Sequence, residues 1–368
     1  MCSDSDTNNA IRASGESTLK RAKKKAQQQF EHLFNVSLNI AVTGETGVGK
    51  STFINAYRHL NDDDEGAAET GVTETTAEPT PYEHPTIPNV VLWDLPGVGT
   101  PNFKVKTYVK KIQIDRFDFF IIISSVRFKE NEIMLAKEIQ KRKKKFYFIR
   151  SKIDNDIDSE RKRRKRKKTF NIEETLSKIR RDCQENLKEL GNPPVFLISS
   201  WNLSAFDFEE LVSTLNSELP EHKQYALLQS VPITSMAMLE KKVAVFKKLI
   251  WAAAIVSGGI AAAPVPGLSF ACDTAIVISF FTRCYHAFGL DDRSLKKLSE
   301  RVNKPELKDW KKSPLLNELR ENLCKLIPCA GSVAAAAISF TMTRDLLERG
   351  LKALADEARM MLSEAGLV

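Results

Sequence analysis

Apolar and polar positions change their rhythm along this chain and divide it into two parts. Leu38, Ile40 and Val42 alternate with other residues at the period of a strand. Nearly continuous apolar runs at 89–93, 118–124, 146–149 and 195–198 predict further, buried strands. Between them the spacing turns helical, over 51–57, 131–141 (with Ile133, Leu135 and Ile139 on one face), 172–190 and 207–219, where Pro220 ends the pattern. After residue 220 no strand pattern remains, and helices are predicted over 240–263, 270–288, 293–301, 316–327 and 344–362. Ahead of the first strand, 18–34 is a basic, Gln-rich helix ending in Phe30, Leu33 and Phe34, and 1–17 is a polar tail expected to be disordered. The expected division is therefore a tail (1–17), an N-terminal helix (18–34), an α/β domain (35–220) and a helical domain (221–368).

Two stretches, 249–272 and 326–343, carry no charge. The first is long enough to span a bilayer. Gly258, Gly259, Pro264, Pro266 and Gly267 interrupt it, and both stretches are rich in Ala and Ser, so a buried helical hairpin is favoured over insertion.

At 368 residues the chain suits two domains, and its net charge of +8 is gathered into runs that require no nucleic-acid partner; none is expected. Six cysteines without a C-x-x-C pair fit reduced thiols of a cytoplasmic protein. No apolar leader is seen, and Cys2 stands where N-myristoylation needs Gly, so a non-secreted chain that meets membranes only peripherally is expected. The basic run 161–168 is either a solvated insertion or a patch for anionic lipid.

The strand ends carry the chemistry. Residues 44–51 form G-x-x-x-x-G-K-S between a strand and a helix, the arrangement of a phosphate loop. Gly44, Glu45, Thr46, Gly47, Val48, Gly49 and Thr52 supply main-chain N–H groups at a helix N-terminus. Lys50 would bring a full charge to the β- and γ-phosphates, and the Ser51 hydroxyl would ligate Mg²⁺. The run 89–93 delivers Asp94-Leu95-Pro96-Gly97, whose carboxylate suits Mg²⁺ through water and whose Gly97 N–H suits a γ-phosphate. Next comes Ser151-Lys152-Ile153-Asp154: the Asp154 carboxylate can accept from guanine N1–H and its amino group, with the Lys152 stem along the base. Ser199 and Ser200, after the last strand, are placed to donate to the guanine O6. Four such motifs in order define a site for GTP and GDP. The segment 61–88 is either a solvated loop or a switch whose hydroxyls, in 70–76, face Mg²⁺ and the γ-phosphate; its place before the D-x-x-G strand favours the switch. Gly97 is followed by Val98 and Gly99, neither able to orient an attacking water.

Together, GETGVGKST, TGVTETT, VVLWDLPGVGTPNF, DFFIIIS and FYFIRSKIDNDI resemble the immunity-related GTPases, the interferon-inducible group related to dynamin-like GTPases, over about residues 18 to 300. The resemblance implies a Ras-like α/β G domain with a mixed, mostly parallel sheet beside an all-α domain built from the N-terminal helix and the C-terminal third. It implies GTP hydrolysis with Mg²⁺, a dimer with itself through the nucleotide face, higher oligomers, and action on membranes of vacuoles holding pathogens. Lys50 places the chain with effector-type members rather than with the branch that has methionine there. By the same resemblance Glu74 matches the switch glutamate that acts across the dimer, and Thr76 the threonine that closes over γ-phosphate and Mg²⁺; Lys50, Glu74 and Thr76 are then the candidate catalytic set. From the residues alone two classes stay open: a self-activating, oligomerising GTPase, or a GTP-gated adaptor with negligible hydrolysis.

Overall fold

The computed structural model describes residues 8, 11–12, 17–18, 21–22, 24–26, 28, 35–71, 78–99, 104–164, 170–260, 268–310 and 340–367, without the side chains of 164, 256–260, 268–276 and 340–342. The chain forms two compact units, Ser37–Leu219 and Met1–Val36 with Pro220–Val368.

The first unit is built on six strands: β1 (Leu38–Gly44), β2 (Thr80–His84), β3 (Ile87–Asp94), β4 (Phe119–Ser124), β5 (Lys145–Arg150) and β6 (Val195–Leu197). Their order is β2-β3-β1-β4-β5-β6, all parallel except β2, which runs antiparallel to β3. Helices α1 (Lys50–Tyr57), α2 (Val105–Ile112), α3 (Glu130–Lys141), α4 (Ile153–Arg164), α5 (Ile172–Asn186) and α6 (Phe208–Glu218) connect and cover the strands. All six residues of β4 are buried, as its unbroken apolar run demands of a strand covered on both faces. Phe120, Ile122 and Phe148 pack with Leu135, Ala136 and Ile139 of α3 on one side. Each of the larger side chains contributes roughly 1.5–3 kcal/mol by leaving water, and the Ala136 methyl less than about 1 kcal/mol. Order reverses beside β1, because β3 lies to one side of it and β4 to the other. The loops leaving β1 and β3 therefore open a crevice at their carboxyl ends, where ligands of open α/β sheets bind.

One strand lies where sequence periodicity pointed to a loop or switch. In β2, Thr80–His84, only His84 is buried, and Pro79, Pro81 and Pro85 interrupt any alternation. Pro cannot donate to a sheet ladder, and an edge strand tolerates it, so β2 is legible only through its partner β3. The rest of the switch reading, 72–77 with Glu74 and Thr76, lies outside the described residues.

The second unit holds α7 (Glu221–Ser230), α8 (Met236–Ile260), α9 (Leu268–Ala287), α10 (Asp292–Val302) and α11 (Phe340–Ala365). Its core gathers Phe246, Leu249 and Ile250 of α8, Phe280, Phe281 and Phe288 in and after α9, and Leu347, Leu351 and Leu354 of α11. Phe246 stands edge-on to Phe280 and Phe288, with centroids 5.7 and 5.6 Å apart. Ala26 packs on Ala252, Ala254 and Ile255. The uncharged stretch 249–272 thus falls across α8 and α9, which share one core; its middle, 261–267, is outside the described residues, as are 311–339 and the helix expected at 316–327. Among the described residues, no helix is long and apolar enough to cross a membrane.

Candidate nucleotide-binding site

The crevice is assembled from the carboxyl ends of β1, β3, β5 and β6. After β1 the chain turns through Gly44 (φ 145°), Gly47 (φ 79°) and Gly49 (φ 95°), and Gly49 caps α1 in the left-handed region. Gly44 has a second constraint. A Cβ there would lie 2.0 Å from the Ile123 carbonyl oxygen of β4, its register partner, so the sheet itself excludes a side chain. Lys50, buried, folds back so that Nζ donates to the carbonyls of Glu45 (3.0 Å) and Gly44 (3.4 Å). Ser51 Oγ donates to Asp94 Oδ2 at 2.8 Å, joining the first turn of α1 to the end of β3.

The guanine motif is tied to this loop. Ser151 donates its main-chain N–H to Ser124 O (2.8 Å) and its hydroxyl to Val48 O (2.7 Å). Lys152 adopts a left-handed φ of 59° and sends Nζ to Gly47 O at 2.7 Å, so its stem crosses the phosphate loop. Asp154 opens α4, and its buried Oδ1 makes no hydrogen bond. Ser199 is buried after β6, where its Oγ accepts from the Asn202 N–H at 3.3 Å, and Ser200 follows half-buried. The turn after Asp94 is held at Val98: its N–H donates to Gly44 O (3.3 Å), its carbonyl accepts from Asn131 Nδ2 (2.7 Å), and its side chain lies in the core. Every nucleotide-site residue named from the sequence except Glu74 and Thr76 is thus described, and the ends of β1, β3, β5 and β6 carry them to one crevice.

Several residues here have no motif to announce them. Tyr108 of α2 donates to Pro96 O (2.9 Å) and shares a hydrogen bond with Thr43 Oγ1 (3.0 Å); burial pushes its phenol well above the usual range. Glu132 of α3 is fully buried, with Oε2 accepting the Lys129 N–H at 2.8 Å. Burial pushes its carboxyl up to about 7, against the opposing pull of the main-chain N–H groups of Lys129 and Glu45 and the Lys129 charge. Lys129 Nζ meets Glu45 Oε2 at 2.6 Å on the loop's rim. Under the guanine motif, Arg150 pairs with Asp156 at 2.6 Å; burial raises the Asp156 carboxyl and the arginine offsets part of that rise.

The basic run divides. Arg161 pairs with Asp158 at 3.2 Å and Arg163 with Glu160, both within α4, while 165–169 lie outside the described residues. The internal pairs lower the charge that α4 itself presents.

A family model for interferon-inducible GTPases (IIGP) matches residues 3–338. The chain belongs to the interferon-inducible GTPases. It is 39% identical over 345 residues to mouse Interferon-gamma-inducible GTPase 10, covering 89% of this chain and 81% of that one. Mouse Interferon-inducible GTPase 1 is 43% identical over 266 residues, covering 71% of this chain and 63% of that one. A crystal structure of Era in complex with MgGDPNP and nucleotides 1506-1542 of 16S ribosomal RNA is similar over 57% of this chain and 67% of that chain, at 17% identity. Its TM-score of 0.34 adds nothing to the fold already described. This interferon-inducible GTPase is therefore an enzyme whose α/β unit is a G domain for guanine nucleotides, as its motifs led one to expect.

Proposed function

We propose that this GTPase binds GTP across the ends of β1, β3, β5 and β6 and hydrolyses it in a dimer of two facing G domains. The observation that carries the site is the pairing of Ser51 with Asp94 beside the Lys50 fold, together with an Asp154 oxygen buried without a hydrogen bond. The unmatched Asp154 Oδ1 suits the N1–H and amino donors of guanine, since an empty buried acceptor costs about 1–3 kcal/mol. Ser51 and Asp94 offer hard oxygen donors that fit Mg²⁺, and Thr76 would join them. The cation, when bound, would spread charge from the β- and γ-phosphate oxygens.

The chain's own groups then divide the work. Residues 44–52 wrap the phosphates with main-chain N–H groups, and Lys50 exchanges neutral loop carbonyls for phosphate oxygens, a stronger bond between opposite charges. Ser151 and Lys152 fix the guanine motif over the loop, with Ser199 and Ser200 along the base edge. Gly97 faces the γ-phosphate. Val98 turns its side chain into the core, so among the described residues Gly97, Val98 and Gly99 offer no side chain to orient water, and Glu74 from the facing molecule supplies that role. Larger assemblies, peripheral contact with anionic intracellular membranes and a part in defence against intracellular pathogens complete the proposal. The described Arg161 and Arg163 give that contact limited support because both are paired within α4.

The dimer makes a direct kinetic prediction. Specific activity rises with protein concentration until the dimer saturates, and Glu74→Ala flattens the rise, lowering the saturated rate on the order of 100-fold. A steady-state dilution series measures both, with GDP affinity nearly unchanged in the variant. Turnover per molecule that stays constant across the series refutes the dimer mechanism.

A further inference from the structure

The first turn of α3 touches both loops that meet at the crevice. Lys129 reaches Glu45 on the phosphate loop at 2.6 Å, and Asn131 Nδ2 reaches the carbonyl of Val98, just past Gly97, at 2.7 Å. The turn is braced from beneath by Glu132, whose carboxylate accepts the Lys129 N–H at 2.8 Å. The Glu45 side chain closes the other side, with Cγ 3.3 Å from where a Cβ on Gly99 would stand. Val98 therefore has its N–H fixed by Gly44, its carbonyl by Asn131 and its side chain by the core. It is flanked by Gly97 and Gly99, which resist bending least of all residues.

We propose that Asn131 is a positioning residue that sets the Gly97–Gly99 turn against the phosphate loop and thereby sets the preference for a triphosphate over a diphosphate. The inference rests on the site reading above, in which the Gly97 N–H faces the γ-phosphate. GDP is held through residues 44–52 and the guanine motif and makes no use of that turn; GTP uses it. Loosening the turn therefore weakens GTP selectively. Glu132 fits the same arrangement: a carboxylate held in a dry place beside a phosphate loop, at the cost of a pKa near 7, fixes the start of α3 tightly.

The test compares parent, Asn131→Ala and the near-isosteric Asn131→Asp, which keeps the shape and lacks the amide donor. Calorimetry with Mg²⁺ reads GDP and a non-hydrolysable GTP analogue separately. Both variants are expected to bind the analogue about tenfold more weakly and GDP within about twofold of the parent. An equal loss for both nucleotides marks Asn131 as a general structural residue and overturns the proposal, as does unchanged analogue affinity in a folded Asn131→Asp protein. If the parent itself binds neither nucleotide, the site reading fails and this inference falls with it.

Discussion

Each unit of the protein buries a lysine that donates to two main-chain carbonyls, and the two do opposite things with the charge. Lys50 bonds the carbonyls of its own loop at 3.0 and 3.4 Å, at the mouth of a crevice lined by glycine turns. Lys242 bonds Gln229 O at 3.3 Å and Val231 O at 2.6 Å, closing the carboxyl end of α7 inside a helical core. Both of its partners are main-chain carbonyls at the end of α7, and burial pushes its ammonium down to about 7. The lesson is that burial of a cation does not mark a site. What marks it is whether the groups it holds can be traded for a ligand's.

Substitution at the two lysines gives the largest contrast. Lys50→Ala should weaken GTP and GDP by at least roughly 100-fold and abolish turnover, because a charge-assisted contact to phosphate is lost. Lys242→Ala should leave nucleotide affinity unchanged while costing the helical unit about 3 kcal/mol, from two carbonyls left without a donor. Calorimetry and chemical denaturation separate the outcomes, and equal behaviour would erase the distinction.

Next in size is the base. Asp154→Asn should lower GTP affinity about 100-fold and move preference toward xanthine nucleotides, since an amide donor replaces an acceptor. Competition binding with GTP, XTP and ATP reads it directly.

The last contrast is spread over several pH units, and here the units diverge in sign. The unfolded Lys242 keeps its proton up to pH 10.5, while the folded one gives it up above about 7. The unfolded state therefore binds more protons across that window, and stability of the helical unit rises with pH. Glu132 behaves in reverse: its folded carboxyl holds a proton to about 7 against 4.5 when unfolded. Stability of the G domain therefore falls as pH climbs between those values, by an amount on the order of 3 kcal/mol. Proteins keeping only Trp93 and Trp201, or only Trp251 and Trp310, report each unit's unfolding by fluorescence. Glu132→Gln and Lys242→Met should each flatten its own trend.

Much of this was legible in the sequence because strand ends and motifs coincide. The run at 118–124 contains β4, Asp94 closes β3, and the phosphate loop and Asp154 follow strands that periodicity alone locates. What escaped shares a physical cause: it depends on partners distant in the chain. Strand β2 is hidden by its prolines and exists through β3. Tyr108, 65 positions from Thr43, looks like any aromatic on an amphipathic helix. Asn131 and Glu132 look like polar residues in the first turn of a helix, where such residues are ordinary. Only the fold shows that one reaches Val98 and the other is sealed from water.

Gly44 carries a consequence for anyone mapping this protein by its damaged variants. It is the first letter of the phosphate-loop signature, so an inactivating change there would be filed as a lost ligand contact. Yet a methyl group at that position runs into the Ile123 carbonyl at 2.0 Å, across the seam between β1 and β4. The lesion would be one of assembly, visible as lost soluble protein before any nucleotide is added. A screen that scores activity without measuring abundance would place Gly44 on the wrong map.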